Sequence, residues 1–175
     1  MAQSINIKLD IGQCVKDAAA EIWKWGEVNK DDANYQRIYH MQYGSDPNDT
    51  DKKLLKGYVL QRVQRIADFV SEYMTDIVYG SGVLPDINTQ AANPFVPPQR
   101  TTNPDWVEFS LLLPAGWNGK TFQSLCQHFN DYVAEGAAAD WFTNIGEKQG
   151  AVFEQQATVA STNIIRNIYR KNSTI

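Results

Sequence analysis

The sequence predicts an α+β fold, mainly α, with about four helices around one core, a small β-sheet and a proline-rich extended arm. Three observations lead there. Apolar residues recur at three- and four-residue spacing in four separate stretches. Two short segments, one near the N-terminus and one near 105–114, alternate apolar and polar with a period of two. Five of the seven prolines fall between Pro85 and Pro104. At 175 residues the chain fits one domain, 1–175, and a domain of that size buries roughly 70% of its unfolded surface.

The elements follow in order. Ile5, Ile7 and Leu9 alternate with Asn6, Lys8 and Asp10, the pattern of a half-buried strand. Asp10 is placed to cap a helix, with Gln13 as its capping-box partner. Ile11, Val15, Ala18, Ile22 and Trp25 then mark a first helix that ends around Lys30. Residues 31–51 are polar and turn-rich. Val59, Val63, Ile66, Val70, Tyr73 and Ile77 predict a second, amphipathic helix stopped by Gly80-Ser81-Gly82, with Lys56, Arg62, Arg65, Asp68 and Glu72 off its apolar stripe. The stretch 83–104 cannot be helical, because proline lacks the amide donor and clashes with the preceding turn. Its length marks it as an arm or functional loop within the domain. Val107, Phe109, Leu111 and Leu113 predict a strand over 105–114, paired with Ile5–Leu9 at the edge of a mixed sheet. A third helix fits Gly119 to Ile145, locally weakened by Gly136 and closed near Asn144 and Gly146. A fourth runs from about Glu147 to Lys171, with Phe153, Ala157, Ala160, Ile164 and Ile168 on one face.

Composition narrows the function. Sixteen basic against twenty acidic residues leave a net charge of −4, and neither half of the chain is a basic block of the kind that grips nucleic acid. No apolar run approaches the roughly 18 residues of a membrane helix, and the N-terminal residues carry no secretory signal core. Cys14 and Cys126 make no Cys-x-x-Cys pair, which fits a reducing cytoplasm. After Glu154 there are no acids, while Arg166, Arg170 and Lys171 remain, a basic end that complements the dipole of the last helix.

Two motifs tempt. Pro114-Ala115-Gly116-Trp117-Asn118-Gly119-Lys120-Thr121 follows a strand, opens a helix and ends like a phosphate-binding P-loop. Such a loop needs glycine first, so that backbone amides curl around phosphate, and here that position is Pro114. Asp46-Pro47-Asn48-Asp49-Thr50 starts like a calcium loop, but Asp51 and Gly57 stand where the sharp-turn glycine and bidentate glutamate belong. Cys126 and His128 lie two apart on a helix and do not share a face. No catalytic residue, metal ligand or cofactor-binding residue emerges, and no cofactor is expected. The aromatic residues divide between core and interface. In the arm, Pro94, Phe95, Val96 and Pro97 form an apolar anchor whose prolines preset an extended backbone, so that less conformational entropy is lost on docking. With Arg166, Arg170 and Lys171 they are the candidate interface residues.

The order of the pieces carries a resemblance. Ile5-Asn6-Ile7-Lys8-Leu9 leads into a helix. Asp31-Asp32-Ala33-Asn34-Tyr35-Gln36-Arg37-Ile38 follows it, with Asp51 ahead of the second helix. Val107-Glu108-Phe109-Ser110-Leu111-Leu112-Leu113-Pro114 precedes Gly116-Trp117-Asn118. The chain closes on Tyr132-Val133, Asp140-Trp141-Phe142 and Ile168-Tyr169-Arg170-Lys171. The chain resembles small virion proteins of tailed phages of the crAss-like, Bacteroidales-infecting type, which are ring or head–tail connector components between portal and tail. The likeness covers most of the chain and consists of packing residues rather than a catalytic signature. It departs at Trp23-Lys24-Trp25-Gly26 and in the length of the proline-rich stretch.

That resemblance implies a non-enzymatic subunit of a neck ring in the virion, assembled in the host cytoplasm. The ring would be a homo-oligomer, twelvefold or else sixfold, touching portal, ring or tail proteins, with DNA passing through its lumen without sequence-specific binding and no membrane contact. Two rivals stand beside it: a P-loop-like nucleotide-binding enzyme using Lys120 and Thr121, and a cytoplasmic helical adaptor.

Overall fold

The computed structural model describes residues 2–29, 33, 37–38, 50–82 and 103–170. Strand β1 (Gln3–Asp10) passes directly into helix α1 (Ile11–Val28). The turn needs no loop because Asp10 stays extended while its carboxylate accepts the Gln13 amide at 2.8 Å. Only half of the expected capping box forms. The Gln13 side chain donates forward to Asp17 Oδ1 at 2.7 Å instead of back to Asp10. Helix α1 buries Ile11, Cys14, Ala18 and Ile22.

Helix α2 (Thr50–Phe69) buries Val59, Val63 and Ile66, as its periodicity predicts, and also Leu55 one turn earlier. It does not continue to Ile77. A turn follows, and Met74–Gly80 is strand β2. Tyr73 and Ile77 are four apart, a spacing that suits one helical turn or two strand repeats. The composition of Thr75, Ile77, Val78 and Tyr79, β-branched and aromatic, decides for the strand.

Among the described residues, strand β3 (Trp106–Leu113) is central in a three-stranded sheet of order β1-β3-β2. The predicted pairing of Ile5–Leu9 with Val107–Leu113 is present, in a register running from Gln3 opposite Leu113 to Asp10 opposite Trp106. Both pairings are antiparallel, so the sheet is not mixed, and β2 carries an irregularity between Met74 and Asp76. Ile7, Leu9, Val107, Phe109, Leu111 and Leu113 form the buried row facing the helices. On the outer row Lys8 pairs with Glu108 across the strands at 3.2 Å. At the sheet's end Gly80 lies beneath Trp106, where a Cβ would come within 2.0 Å of the indole ring.

A 3₁₀ turn (Gly119–Thr121) introduces helix α3 (Phe122–Asn144), which pairs with helix α4 (Gly150–Ile168) as a hairpin. Gly146, at φ +78°, ends α3; the Glu147 amide returns to the Phe142 carbonyl at 2.9 Å, a Schellman closure. Ala137, Ala138, Ala139, Ala157 and Ala160 are buried along the hairpin, where small side chains let the helices approach closely. The predicted inner face of α4, from Phe153 to Ile168, is buried throughout. Trp141, Phe109, Phe129 and Phe142 are the largest fully buried side chains, and each such apolar residue contributes roughly 1.5–3 kcal/mol of burial. Among the described residues, no helix is long and apolar enough to cross a membrane.

Candidate functional site

The outward face of α4 is the first surface to consider. Its inner side is committed to α3, yet Val152 and Val159 stand outside at 46% and 56% exposure, with Tyr169 at 53% just past the helix. From Gln155 to Ile165 no residue is charged. Thr158, Ser161 and Thr162 turn their hydroxyls back onto helix carbonyls at 2.8–2.9 Å, which lowers the polarity the face presents. Core positions of protein interfaces are depleted of charge in the same way.

Arg166 and Arg170 lie exposed at the C-terminal end of this face. Two hydrogen bonds hold that end in place. The buried Trp117 indole donates to the Asn167 carbonyl at 2.8 Å, and the Asn118 amide donates to the Arg170 carbonyl at 2.9 Å. The remaining predicted interface residues, Lys171 and Pro94, Phe95, Val96 and Pro97, lie outside the described residues, as does the rest of the proline-rich arm over 83–102.

The P-loop-like segment spends its donors internally. The amides of Trp117, Asn118, Lys120 and Thr121 go to the Pro114 carbonyl, the Arg170 carbonyl, Asn118 Oδ1 and the Asn118 carbonyl. The Thr121 hydroxyl also donates to the Asn118 carbonyl, at 2.8 Å. A phosphate cradle requires these amides to converge on the ligand, and in this conformation they do not. The calcium-like frame fares no better. Thr50 and Asp51 already belong to α2, and the Asp51 carboxylate is held by the Arg37 guanidinium at 2.5 and 3.2 Å. Among the described residues, no three His, Cys, Asp or Glu side chains gather where a metal ion could sit.

A polar network that periodicity assigns to the surface lies inside. Arg62, off the apolar stripe of α2, is only 2% exposed. Its guanidinium grips Asp140 of α3 at 2.6 and 2.7 Å and Glu154 of α4 at 2.5 and 3.2 Å, and it lies over the Tyr132 ring. Burial works against the charge, but the two carboxylates outweigh it and hold the guanidinium above its ordinary range. Gly136 makes the room: a Cβ there would stand 2.7 Å from Arg62 Cδ. This glycine, read from sequence as a weak point in the helix, is a close-approach position. One arginine thereby ties three helices together. The available signal was Asp140, four residues and one helical turn beyond Gly136.

Between α3 and α4 a shallow groove of about 340 Å³ is lined by His128, Asp131 and Glu135 on one side and Gln156, Val159 and Asn163 on the other. Glu135 is pushed up to about 7 by burial, helped by Asp131 and Glu21. His128 is a boundary histidine, 3.9 Å from Asp131. Cys14 is buried, its thiol pushed up to about 12 by burial, and it donates to Asn130 Oδ1 at 3.2 Å. Cys126 is half-buried, and burial raises its thiol too. The two cysteines are free thiols.

Comparison with protein-family models, with curated proteins and with solved structures finds no match to this chain.

Proposed function

We propose that this chain is a non-enzymatic structural subunit of a tailed-phage virion, forming a closed ring in the neck between portal and tail. The resemblance of its packing segments to crAss-like connector proteins supports this reading. The observation that carries the reading is the outer face of α4: exposed Val152 and Val159, internally bonded hydroxyls, and an uncharged stretch from Gln155 to Ile165 ending at Arg166 and Arg170. Such a face suits burial against a neighbour. A contact made head to tail between identical subunits closes into a ring when the rotation allows. The net charge of −4 suits a lumen through which DNA passes without being gripped, because phosphate affinity comes from basic groups.

Native mass spectrometry with negative-stain imaging tests the reading. Twelvefold or sixfold rings are expected, dispersed by Val152→Glu with Val159→Glu. A monomer at every concentration, unchanged by those substitutions, overturns it. The rival nucleotide-handling reading has its own test in calorimetry with ATP and magnesium. No saturable heat is expected, because the amides of Trp117, Asn118, Lys120 and Thr121 are already donated within the chain. Micromolar binding abolished by Lys120→Ala would restore the enzyme reading.

A further inference from the structure

A cavity of about 750 Å³ runs beside β1, within the size range of ligand clefts. Ser4, Ile5, Asn6 and Lys8 line one side, and Phe122 and Cys126 of α3 line the other. The parity of the strand residues locates it. Successive side chains of a strand point to opposite faces: Ile5 shares the inner row with Ile7 and Leu9, whereas Ser4, Asn6 and Lys8 belong to the outer row. A hollow that touches both rows lies along the edge of the strand, not over either face.

Among the described residues, no strand lies upon that edge, and β1 pairs with β3 alone. An antiparallel ladder turns the N–H and C=O of alternate residues toward the partner and leaves those of the others facing away. A row of backbone donors and acceptors therefore faces the cavity. We propose that this trough binds an extended peptide, which adds to β1 as a fourth strand of the sheet.

The two outer strands support the assignment by contrast. Proteins blunt sheet edges with bulges, charges or proline. β2 has such protection, with an irregularity between Met74 and Asp76 and an exposed carboxylate at Asp76. β1 is regular over eight residues and has no proline. Its central lysine, Lys8, is drawn across the sheet to Glu108. The lining defines the ligand. Gln3 to Lys8 spans about 20 Å at ~3.3 Å per residue, room for about six extended residues. One row of ligand side chains meets Ile5, Phe122 and Cys126 and is apolar. The other lies beside Ser4 and Asn6 and is polar. Backbone pairing supplies affinity and the apolar row supplies selectivity, as in other strand-addition complexes.

The test selects a display library of random ten-residue peptides against the full chain. It then measures amide hydrogen exchange with the enriched peptides bound. Enriched sequences are expected to alternate apolar and polar, to slow exchange within residues 3–8 at alternate amides by at least tenfold, and to bind at least tenfold more weakly to Phe122→Glu. Methylating the peptide's own amides provides a control independent of protein folding. Methylation along one edge of the peptide abolishes binding and along the other leaves it unchanged. Enriched peptides that leave residues 3–8 exchanging freely, binding that is indifferent to methylation on both edges, or no enrichment at all overturns the proposal.

Discussion

Substituting Gly136 by alanine has opposite effects on stability depending on what stands at position 62. In the native chain the new Cβ would come within 2.7 Å of Arg62 Cδ and 2.8 Å of its Nε. The arginine cannot swing away cheaply, because four hydrogen bonds to Asp140 and Glu154 fix its head. Overpacking of this kind costs about 1–3 kcal/mol, against a gain of about 1 kcal/mol for replacing glycine by alanine in a helix interior. The net expectation for Gly136→Ala is a loss of about 1 kcal/mol. Arg62→Ala alone removes the network and leaves the Asp140 carboxylate, 22% exposed, without its partner. Breaking a buried pair costs about 3–5 kcal/mol; Glu154, half exposed, adds little to that. In the Arg62→Ala background the obstacle is gone, so Gly136→Ala should now stabilise by about 1 kcal/mol. The coupling between the two sites is then about 2 kcal/mol, well above the few tenths expected of independent positions. Urea denaturation followed by circular dichroism at constant m value measures all four corners of the cycle. An equal loss from Gly136→Ala in both backgrounds would refute the idea that this glycine exists to admit the arginine.

Two further perturbations have worked directions. Glu135, pushed up to about 7 in the folded chain, binds its proton more tightly there than in the unfolded chain, so stability should fall as pH rises from the ordinary carboxylate range through 7; the slope should vanish in Glu135→Gln, which at pH 8 should gain about 1 kcal/mol after allowance for the group's partial exposure, read from urea midpoints at pH 5 and 8. Gly80→Ala places a Cβ within 2.0–2.6 Å of the Trp106 ring and should cost about 1–3 kcal/mol, with altered tryptophan emission; full native stability would mean that the ring has an alternative seat.

Much of this fold is legible in the sequence where one periodicity acts alone. Ile5–Leu9 and Val107–Leu113 alternate cleanly and pair as expected, and the inner face of α4 is buried residue for residue. Legibility fails where two readings share a spacing or where polarity is buried. Tyr73 and Ile77 satisfy a helix and a strand alike, so β2 is hidden within an apparent helix. Arg62 looks like surface because it is charged and off the stripe, and only its two distant carboxylates make burial tolerable. The candidate interface is partly legible: the basic residues Arg166 and Arg170 mark the end of α4, and its uncharged turns can be seen in the sequence. The trough beside β1 cannot be seen there, since Phe122 and Cys126 join it from more than a hundred positions away.

The position of β3 in the middle of the sheet sets the order of events as the chain is made. Gln3 waits for Leu113, and Met74 for Leu111. Among the described residues, neither outer strand has its partner until residues 106–113 have left the ribosome. At about 5–20 residues per second that delay is roughly 5–20 s for β1, during which Ile5, Ile7 and Leu9 stay unsheltered. The α3–α4 hairpin, closed by a short connection, requires no such wait. A nascent chain stalled before residue 106 therefore holds two strands whose common partner among the described residues, β3, has yet to be made.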